Sequence, residues 1–296
     1  MNQTQNKQIL IFSLLVFLSV ALGYFLPKFK TPSPLSSLIP NPFASILLEA
    51  KTAFVYDLAN QKMLFGLHED KPMPIASITK IMTALVALEV FSPEEVIMIS
   101  RDSLDLEGDN GLFWGEKWPV SELIKFMLLV SSNDAAAAIA KEADKKLGLD
   151  GFLQKMNEKA EEIGLAKARF NSVSGIDMGE TPGAVASAKE AAFLLYYAYK
   201  TYPEIFGITA LPEADFISES GFDHKKIKNT NPNVGTGNIL ASKTGLTKLA
   251  GGTLVVFLGG ERPLLIAALD STQEGRFADV TRLEAAALLT KTPVAE

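Results

Sequence analysis

Runs of β-branched and aromatic residues occur toward both ends of the sequence and predict strands. The segment 51–58 (KTAFVYDL) has this composition, and 62–66 (KMLFG) follows it after a turn at 59–61, so the two are expected to form a hairpin. Nearer the other end, the apolar runs 254–259 (LVVFLG) and 264–269 (LLIAAL) are flanked by glycine or polar residues. They predict two adjacent antiparallel strands.

Helical spacing of apolar residues dominates the sequence between these strands. The predicted helices are 78–90, 121–130 with Ser121 as N-cap, 134–147, 151–163 and 188–200, followed by a closing helix at 281–289. Strands at both ends with helices between them predict an α/β (α+β) fold. In that fold an antiparallel sheet is built from both termini, is flanked by helices and carries a mostly helical insertion.

An uncharged apolar run begins at Ile9 and ends at Leu26, which is long enough to cross a bilayer as a helix. Small-x-small sequences at 19–21 and 21–23 resemble signal-peptide cleavage sites, so a cleaved signal is the alternative. An uncleaved anchor is favoured because the apolar run continues beyond these sites.

The chain is therefore expected to have four parts. These are a short N-terminal tail (1–7), a transmembrane anchor or signal segment (8–26), a proline-rich linker (27–45) and one globular domain (46–296). Proline stiffens an extended chain, so the linker is expected to hold the domain away from the membrane surface.

Composition narrows the chemistry available to this domain. The net charge is −6 with lysine and arginine spread along the chain, which argues against a nucleic-acid partner. There is no cysteine, so disulfides and thiolate chemistry are excluded. The two histidines, His68 and His224, lie in polar surroundings and are predicted to be exposed loop residues, which makes a Ser-His-Asp triad improbable.

Ser77 and Lys80 form a Ser-x-x-Lys motif at the head of the helix predicted to reach Val90. Residues three apart on a helix share one face, so the hydroxyl is expected beside the amine. A serine becomes nucleophilic when a base takes its proton, and a lysine is that base only when its amine is neutral. The apolar neighbours supply burial that favours the neutral amine. The structural alternative is a capping serine followed by an extended surface lysine.

Two further polar motifs are candidates for the same site. In 131–133 (SSN), Ser131 and Asn133 alternate, so both side chains are expected to point the same way, to relay a proton and to hold a carbonyl. In 243–245 (KTG), Lys243 and Thr244 suit a carboxylate, and Gly245 leaves room for a peptide backbone. The structural alternatives are a helix cap and a surface turn.

Together the three motifs form the Ser-x-x-Lys, Ser-x-Asn and Lys-Thr-Gly set of the penicillin-recognising serine enzymes. The flanking sequences resemble the D-alanyl-D-alanine carboxypeptidase family, the low-molecular-mass penicillin-binding proteins. The similar segments are 74–84, 127–135, 152–165, 243–247 and 250–251, and the resemblance covers about residues 46–285. It differs from the family pattern at Ser132, where glycine is usual, and the sequence does not determine the effect of this added side chain on the cleft.

The resemblance implies a β-lactamase/transpeptidase-like fold and a catalytic role for 46–296. It implies that Ser77 attacks the carbonyl between two D-alanines, that Lys80 accepts its proton and that Ser131 relays a proton toward the leaving amine. It further assigns substrate binding to these positions: Asn133, Lys243, Thr244, Gly245 and Leu246. Backbone N–H groups of Ser77 and Leu246 would form the oxyanion hole, and no metal or cofactor is needed.

The implied partners are peptidoglycan stem peptides, with β-lactams as covalent inhibitors and the membrane as the support for the N-terminal segment. The catalytic domain is then expected outside the cytoplasm, either on a single-pass anchor or secreted if the signal is cleaved. Three alternatives remain: a class A-like β-lactamase, a peptidoglycan DD-endopeptidase and a non-catalytic wall-binding module. Class A β-lactamases use a Glu-x-x-x-Asn arrangement, and the sequence between Asn133 and Lys243 contains none.

Overall fold

A computed structural model describes residues 41–104, 111–235 and 237–290. Its strands are β1 (Thr52–Asp57), β2 (Lys62–Leu67), β3 (Met73–Pro74), β4 (Val96–Met98), β5 (Lys117–Pro119), β6 (Arg169–Phe170), β7 (Ala184–Ala186), β8 (Glu213–Ile217), β9 (Asp223–Lys228), β10 (Ile239–Thr247), β11 (Gly251–Leu258) and β12 (Leu264–Ser271). The main sheet is antiparallel with the order β10-β11-β12-β1-β2. Strands from both halves of the chain therefore meet in one sheet, because β1 pairs with β12 along its length.

Helices cover both faces of this sheet. They are α1 (Lys80–Val90), α2 (Val120–Val130), α3 (Asn133–Leu147), α4 (Gly151–Glu162), α5 (Ala188–Thr201), α6 (Pro203–Phe206) and α7 (Gly275–Leu289), with 3-10 turns at Ala76–Thr79, Arg101–Ser103 and Gly207–Ala210. Alternation along β11 divides the core in two. Val255 and Phe257 face the cluster shared with the helical insertion, whereas Leu254, Val256 and Leu258 face the cluster beneath α7.

The predicted α/β architecture is confirmed, with an antiparallel sheet from both ends and a mostly helical insertion between β2 and β10. The helix predicted at 188–200 is α5, which begins with a capping box between Ser187 and Glu190. The insertion also contains small sheets that the apolar pattern does not reveal, β3-β7-β6, β4-β5 and β8-β9.

Two predicted helix starts are wrong. Ser121 is not an N-cap, because α2 begins at Val120 after Pro119, and the amides of Val120 and Ser121 donate to the carbonyls of Glu95 and Pro93. The last helix begins at Gly275 rather than at Thr281. The Thr272 hydroxyl accepts the Gly275 N–H at 2.9 Å, so the first turn is held by residues outside the apolar pattern.

The predicted anchor or signal at 8–26, the tail at 1–7 and most of the linker at 27–45 lie outside the described residues. Within the described ranges, none of the helices combines the length and the apolar character needed to cross a bilayer.

Candidate active site

Ser77 lies in the 3-10 turn that leads into α1, at the junction of the main sheet and the helical insertion. The preceding residue, Ala76, has φ +48°, a left-handed conformation that is strained for a side chain other than glycine. Two hydrogen bonds hold this turn: the Ile78 amide donates to the Ile75 carbonyl at 3.2 Å, and the Thr79 hydroxyl donates to the Ala76 carbonyl at 2.7 Å. The fold therefore fixes the direction in which the Ser77 hydroxyl points.

Lys80 is fully buried at the first position of α1, and three oxygen atoms surround its amine. Its Nζ lies 2.9 Å from Ser77 Oγ, 2.7 Å from Asn133 Oδ1 and 2.8 Å from the Ser174 carbonyl oxygen. A carbonyl and an amide oxygen only accept hydrogen bonds, whereas a hydroxyl also donates. A neutral amine has two N–H bonds and one lone pair, so its two hydrogens satisfy the acceptors and its lone pair faces the Ser77 hydroxyl.

The segment 131–133 joins α2 to α3 and turns its two polar ends into the site. Ser131 ends α2 in a left-handed conformation with φ +65°, and its Oγ lies 2.8 Å from Lys243 Nζ. Asn133 opens α3 and reaches Lys80. Ser132 between them is buried, and its hydroxyl accepts the Ala135 amide at 3.1 Å as the N-cap of α3. The Ser132 side chain, whose effect on the cleft the sequence leaves open, therefore turns toward the helix and caps it.

Lys243, Thr244 and Gly245 lie on β10, the edge strand of the main sheet. The Lys243 ammonium donates to Ser131 Oγ and, at 3.0 Å, to the Thr244 carbonyl oxygen. Thr244 Oγ1 lies 2.6 Å from Thr230 Oγ1, so one hydroxyl donates to the other. In the register of β10, Lys243 is paired with Val255 and Thr244 with Leu254, so the two side chains leave the strand in alternate directions.

The open edge of β10 carries backbone donors toward the cleft. The Ser242 amide donates across this edge to Thr209 Oγ1 at 3.0 Å. Backbone groups alternate in direction along a strand, so the amide of Leu246, four residues later, points to the same edge. The Leu246 side chain is exposed. An amide at this edge is available to a bound carbonyl oxygen.

Gly245 permits the close approach of β10 to the turn that carries Ser77. A Cβ at this position would lie 2.4 Å from Thr253 Oγ1 and 2.9 Å from both the Ala76 Cβ and the Ile75 carbonyl oxygen. A larger residue would therefore push the strand away from the turn. Gly245 sets the width of the groove between Lys243 and Ser77.

The electrostatics of the site come from buried cations that lie close together. Burial and then the charge of Lys243 hold the pKa of the Lys80 ammonium well below its usual range. Burial and then the charge of Arg276 lower the pKa of Lys243 to about 7. The structure thus provides one amine that favours the neutral form and a second that titrates near neutral pH.

Two groups of the site are missing from the set of residues predicted from the sequence. The first is the Ser174 carbonyl, which belongs to the main chain and so could be supplied by any residue type. The loop that carries it packs against α1, and Gly175 next to it has φ +84° with no space for a Cβ, which would lie 2.0 Å from the Ala76 carbonyl oxygen. A glycine in the segment 170–175 is the only hint that the sequence gives.

The second is Arg276 in the first turn of α7. Its guanidinium is buried and donates to the Gly245 carbonyl at 2.5 Å, and its Nε has no hydrogen-bond partner among the described residues. It adds a third cation beside Lys243. No motif identifies Arg276, because its contact with Gly245 joins two elements, α7 and β10, that are separated in the sequence.

The histidines do not contribute to this cluster. His68 is exposed as predicted, but the same prediction for His224 is wrong. His224 lies buried on β9, with Nε2 3.2 Å from both carboxylate oxygens of Glu116. Paired side chains from distant segments allow this burial, and the polar neighbours of His224 in the sequence do not reveal the pairing.

The sequence-predicted positions therefore converge. Direct hydrogen bonds connect Ser77 to Lys80, Lys80 to Asn133 and Ser131 to Lys243, and the charge of Lys243 acts on Lys80. A hydroxyl next to a buried amine, with a second cation across a groove and a free strand edge beside it, suits acyl transfer on a substrate that carries a carboxylate.

The comparisons with known proteins agree with this geometry. The profile of a family described as D-alanyl-D-alanine carboxypeptidase matches residues 41–269. A D-alanyl-D-alanine endopeptidase of Pseudomonas aeruginosa is 31% identical over 258 residues, which are 83% of this chain and 81% of the relative. A D-alanyl-D-alanine carboxypeptidase of Mycobacterium tuberculosis is 28% identical over 235 residues, 76% of this chain and 77% of the relative.

Among solved structures, a penicillin-binding protein of Listeria monocytogenes in its ampicillin-bound form superposes with a TM-score of 0.71 at 30% identity, covering 82% of this chain and 98% of that one. The family profile spans well over half of the sequence and includes all three motifs. This chain therefore belongs to the D-alanyl-D-alanine carboxypeptidase family of serine peptidases, the low-molecular-mass penicillin-binding proteins.

Proposed function

We propose that this protein hydrolyses the peptide bond between the two D-alanines that end a peptidoglycan stem peptide, with Ser77 as the nucleophile. The observation that carries the proposal is the 2.9 Å contact of Ser77 Oγ with Lys80 Nζ, since two other oxygens already occupy the hydrogens of a neutral Lys80 amine. The lone pair of Lys80 then takes the Ser77 proton as Oγ attacks the carbonyl carbon.

The leaving group departs on the opposite side of the groove. As the C–N bond breaks, the amine of the terminal D-alanine needs a proton, and the Ser131 hydroxyl supplies it while held by Lys243. The proton that Lys80 took from Ser77 replaces the one that Ser131 gave up, so the lysine and the serine both regain their starting forms. The product is an acyl ester on Ser77 and free D-alanine. A water molecule then cleaves the ester and restores the Ser77 hydroxyl.

Substrate recognition follows from charge and from the strand edge. The terminal carboxylate binds Lys243 and the hydroxyl of Thr244, because a carboxylate satisfies a buried ammonium better than any neutral group does. Asn133 orients the peptide, and Gly245 gives its backbone access to β10. Amides of Ser77 and Leu246 stabilise the negative charge that develops on the carbonyl oxygen, a contribution of several kcal/mol in comparable sites.

A second candidate activity is hydrolysis of the cross-link between two stem peptides. The P. aeruginosa relative, which matches over most of both chains, is called an endopeptidase. The same acyl chemistry serves both reactions, since an endopeptidase differs in accepting an extended group on the leaving amine. The two activities use the same nucleophile. They differ in the space that the substrate needs beyond Lys243 and Ser131.

The proposal includes the surroundings in which the enzyme works. A stem peptide substrate lies outside the cytoplasm, so the apolar segment 8–26 serves as an anchor or as a signal, with the linker 27–45 as a spacer. β-Lactams are expected to acylate Ser77 and remain bound, because they offer a strained amide to the same nucleophile. A β-lactamase would release such an adduct rapidly.

The test is an assay of product formation from two substrates. The purified enzyme is incubated with a peptide ending in D-Ala-D-Ala and, separately, with cross-linked dimers of stem peptides. Release of D-alanine supports the carboxypeptidase, and conversion of dimers to monomers supports the endopeptidase. Ser77→Ala must abolish both activities, whereas Ser132→Ala, a substitution of a capping serine, must retain them. If neither substrate is converted by the unaltered enzyme, a non-catalytic wall-binding module is favoured instead.

A further inference from the structure

A cavity of about 320 Å³ on the α7 side of the main sheet contains none of the catalytic groups. It is called the α7 cavity below. Its walls are β11, the middle of α7, the loop residues 231–233 and the start of β10. α7 packs on β11 and β12, so the cavity is the space left between this helix and the loop. Its volume is within the range of pockets that bind small molecules.

The floor of the α7 cavity is apolar. Leu254, Val256 and Leu258 alternate along β11, so their side chains leave the same face of the sheet. Val280 of α7 belongs to the same buried cluster and completes the floor. The three strand positions extend over about 14 Å. This floor suits the hydrocarbon part of a ligand, because covering it removes apolar surface from water.

One carboxylate lines this apolar space. Glu284 lies one turn beyond Val280 on α7, so the two side chains share a face of the helix. The half-buried Glu284 carboxylate makes neither a hydrogen bond nor an ion pair with residues 41–104, 111–235 or 237–290. Burial raises its pKa, and no cation among these residues offsets that effect. A partly desolvated charge without a partner is unfavourable, and a bound cation relieves that cost.

The polar rim of the α7 cavity is held in place by hydrogen bonds. Asn231 is buried, and its Nδ2 donates to Ser242 Oγ at 3.0 Å. Its Oδ1 accepts the Asn233 amide at 3.0 Å, and because an amide oxygen has two lone pairs, one is left for a ligand. Asn229 holds the start of this loop, since its Nδ2 donates to the Thr209 carbonyl at 2.9 Å. An ordered rim reduces the entropy that binding costs.

We propose that the α7 cavity binds an aliphatic primary ammonium, with the ammonium at Glu284 and the hydrocarbon chain on the floor formed by β11. The ammonium supplies the charge that Glu284 lacks and donates charge-assisted hydrogen bonds to it. The lone pair of Asn231 Oδ1 is a further acceptor in the same cavity. The site shares no group with the catalytic site, where Lys243 reaches Ser131 of the helical insertion.

The charge of the α7 cavity disfavours other ligands. An anion is repelled by the Glu284 carboxylate, and a neutral hydrocarbon covers this carboxylate without supplying a partner. A divalent metal ion needs several oxygen or nitrogen ligands, and the part of the chain that the structure describes has no cluster of three acidic or histidine residues. Two sources share the proposed chemistry, a free alkylamine and the side-chain amine of a lysine in a peptide.

The test is a titration of the full-length protein in a nonionic detergent, followed by the methyl NMR signals of its leucines and valines. n-Pentylamine represents the free amine, and Nα-acetyl-lysine N-methylamide represents the peptide side chain. We expect saturable shifts of the methyl signals of Leu254, Val256 and Val280. Tighter binding of pentylamine would identify a free amine as the ligand, and tighter binding of the blocked lysine a peptide side chain. No saturable shift of these signals with either probe would overturn the proposal.

Two probes of similar shape but different charge test the part played by the carboxylate. 1-Pentanol replaces the ammonium of pentylamine with a hydroxyl, and pentanoate replaces it with a carboxylate. Pentylamine should bind about 10-fold more tightly than pentanol, because its hydrogen bond to Glu284 joins two charged groups, and pentanoate should not bind. Equal affinities for pentylamine and pentanol would mean that the cavity recognises hydrocarbon alone, which contradicts the proposal.

Glu284→Gln keeps the shape of the side chain and removes its charge. It should weaken pentylamine binding about 10-fold and leave pentanol binding unchanged. Glu161→Gln is the matched control, since Glu161 is exposed on α4 and is not part of the cavity, and it should leave both affinities unchanged. Unaltered pentylamine affinity in a folded Glu284→Gln protein, shown by its thermal melt, would overturn the proposal. The titration involves no turnover, so its result is independent of the activity assay.

Discussion

Two regions of the domain bury charged side chains, and they balance those charges in opposite ways. In the site, Lys80, Lys243 and Arg276 are three buried basic side chains, and none is hydrogen-bonded to a carboxylate in the described residues. On the α7 side of the sheet, Asp57 accepts hydrogen bonds from Arg262 Nε at 2.7 Å and from Asn60, while Arg262 also donates to carbonyls at the end of α7.

The difference shows what each region is for. A largely buried pair of opposite charges, held by hydrogen bonds, connects β1 to the end of α7, and removing one partner leaves the other uncompensated. In the site, burial and then the charge of a neighbouring cation lower the pKa of both lysines, so Lys80 can act as a base and Lys243 can bind an anionic ligand. The first arrangement stabilises the fold, whereas the second provides a base and an anion site at a cost in stability.

The largest expected effect is on the chemistry, from Lys80→Met. Methionine fills a similar volume without a lone pair that takes a proton, so acylation by penicillin should slow by about 10²- to 10⁴-fold. The measurement is the rate of covalent labelling, accompanied by a thermal melt to show that the protein is folded. Labelling at the unaltered rate would remove Lys80 from the mechanism.

Asp57→Ala tests the other region and should affect stability alone. It leaves the Arg262 guanidinium without its carboxylate, which is expected to reduce the free energy of unfolding by about 3 kcal/mol. Burial raises the pKa of Asp57, but hydrogen bonds from Asn60 and Arg262 outweigh it and leave this pKa lowered. The stabilisation is therefore present above about pH 4 and is lost as the pH falls through the lower folded-state pKa.

The denaturant midpoint, measured between pH 3 and 7, checks this expectation. The Asp57→Ala protein should lose part of the acid dependence of stability that the unaltered protein has, and its labelling rate at pH 7 should be normal. A large drop in labelling by the folded variant would mean that the two regions are not independent.

Lys243→Arg tests the anion site through the pH dependence of kcat/KM. With a pKa of about 7, Lys243 is charged below that pH and neutral above it, so carboxylate binding should weaken as the pH rises. Arginine keeps its charge throughout this range. The decline in kcat/KM with a midpoint near 7, about 10-fold by pH 8, should be present in the unaltered enzyme and absent in the variant, although the variant's affinity differs at every pH. The same decline in both proteins would assign it to another group.

The smallest expected effects distinguish two adjacent serines. Ser132→Ala removes the cap of α3 and should cost about 1 kcal/mol of stability while leaving labelling intact. Ser131→Ala removes the hydroxyl bound to Lys243 and should slow turnover with little change in the melting temperature. The reverse pattern would mean that Ser132, and not Ser131, relays the proton.

The sequence is informative wherever a side-chain pattern is local. The helix beginning near Lys80, the hairpin of β1 and β2 and the strands β11 and β12 follow from apolar periodicity, and the three motifs lead to the residues that converge. These features depend on neighbours within one or two turns of the chain, which is the range over which such patterns act.

The rest depends on contacts between distant segments. The Ser174 carbonyl is a backbone group, and the contact of Arg276 with the Gly245 carbonyl crosses from α7 to β10. The burial of His224 requires Glu116, which lies 108 positions earlier. The direction of the Ser132 side chain follows from which residue takes the left-handed conformation, and here that residue is Ser131. None of these is encoded in local spacing.

The central claim is that the strained turn before α1 presents Ser77 to a neutral amine. It is tested most directly by incubating the protein with penicillin and mapping the adduct by mass spectrometry of its peptides. The account predicts one adduct of the mass of the antibiotic on the peptide that contains Ser77, retained in Ser132→Ala and absent in Ser77→Ala. An adduct on Ser131, or one that persists in Ser77→Ala, would contradict it.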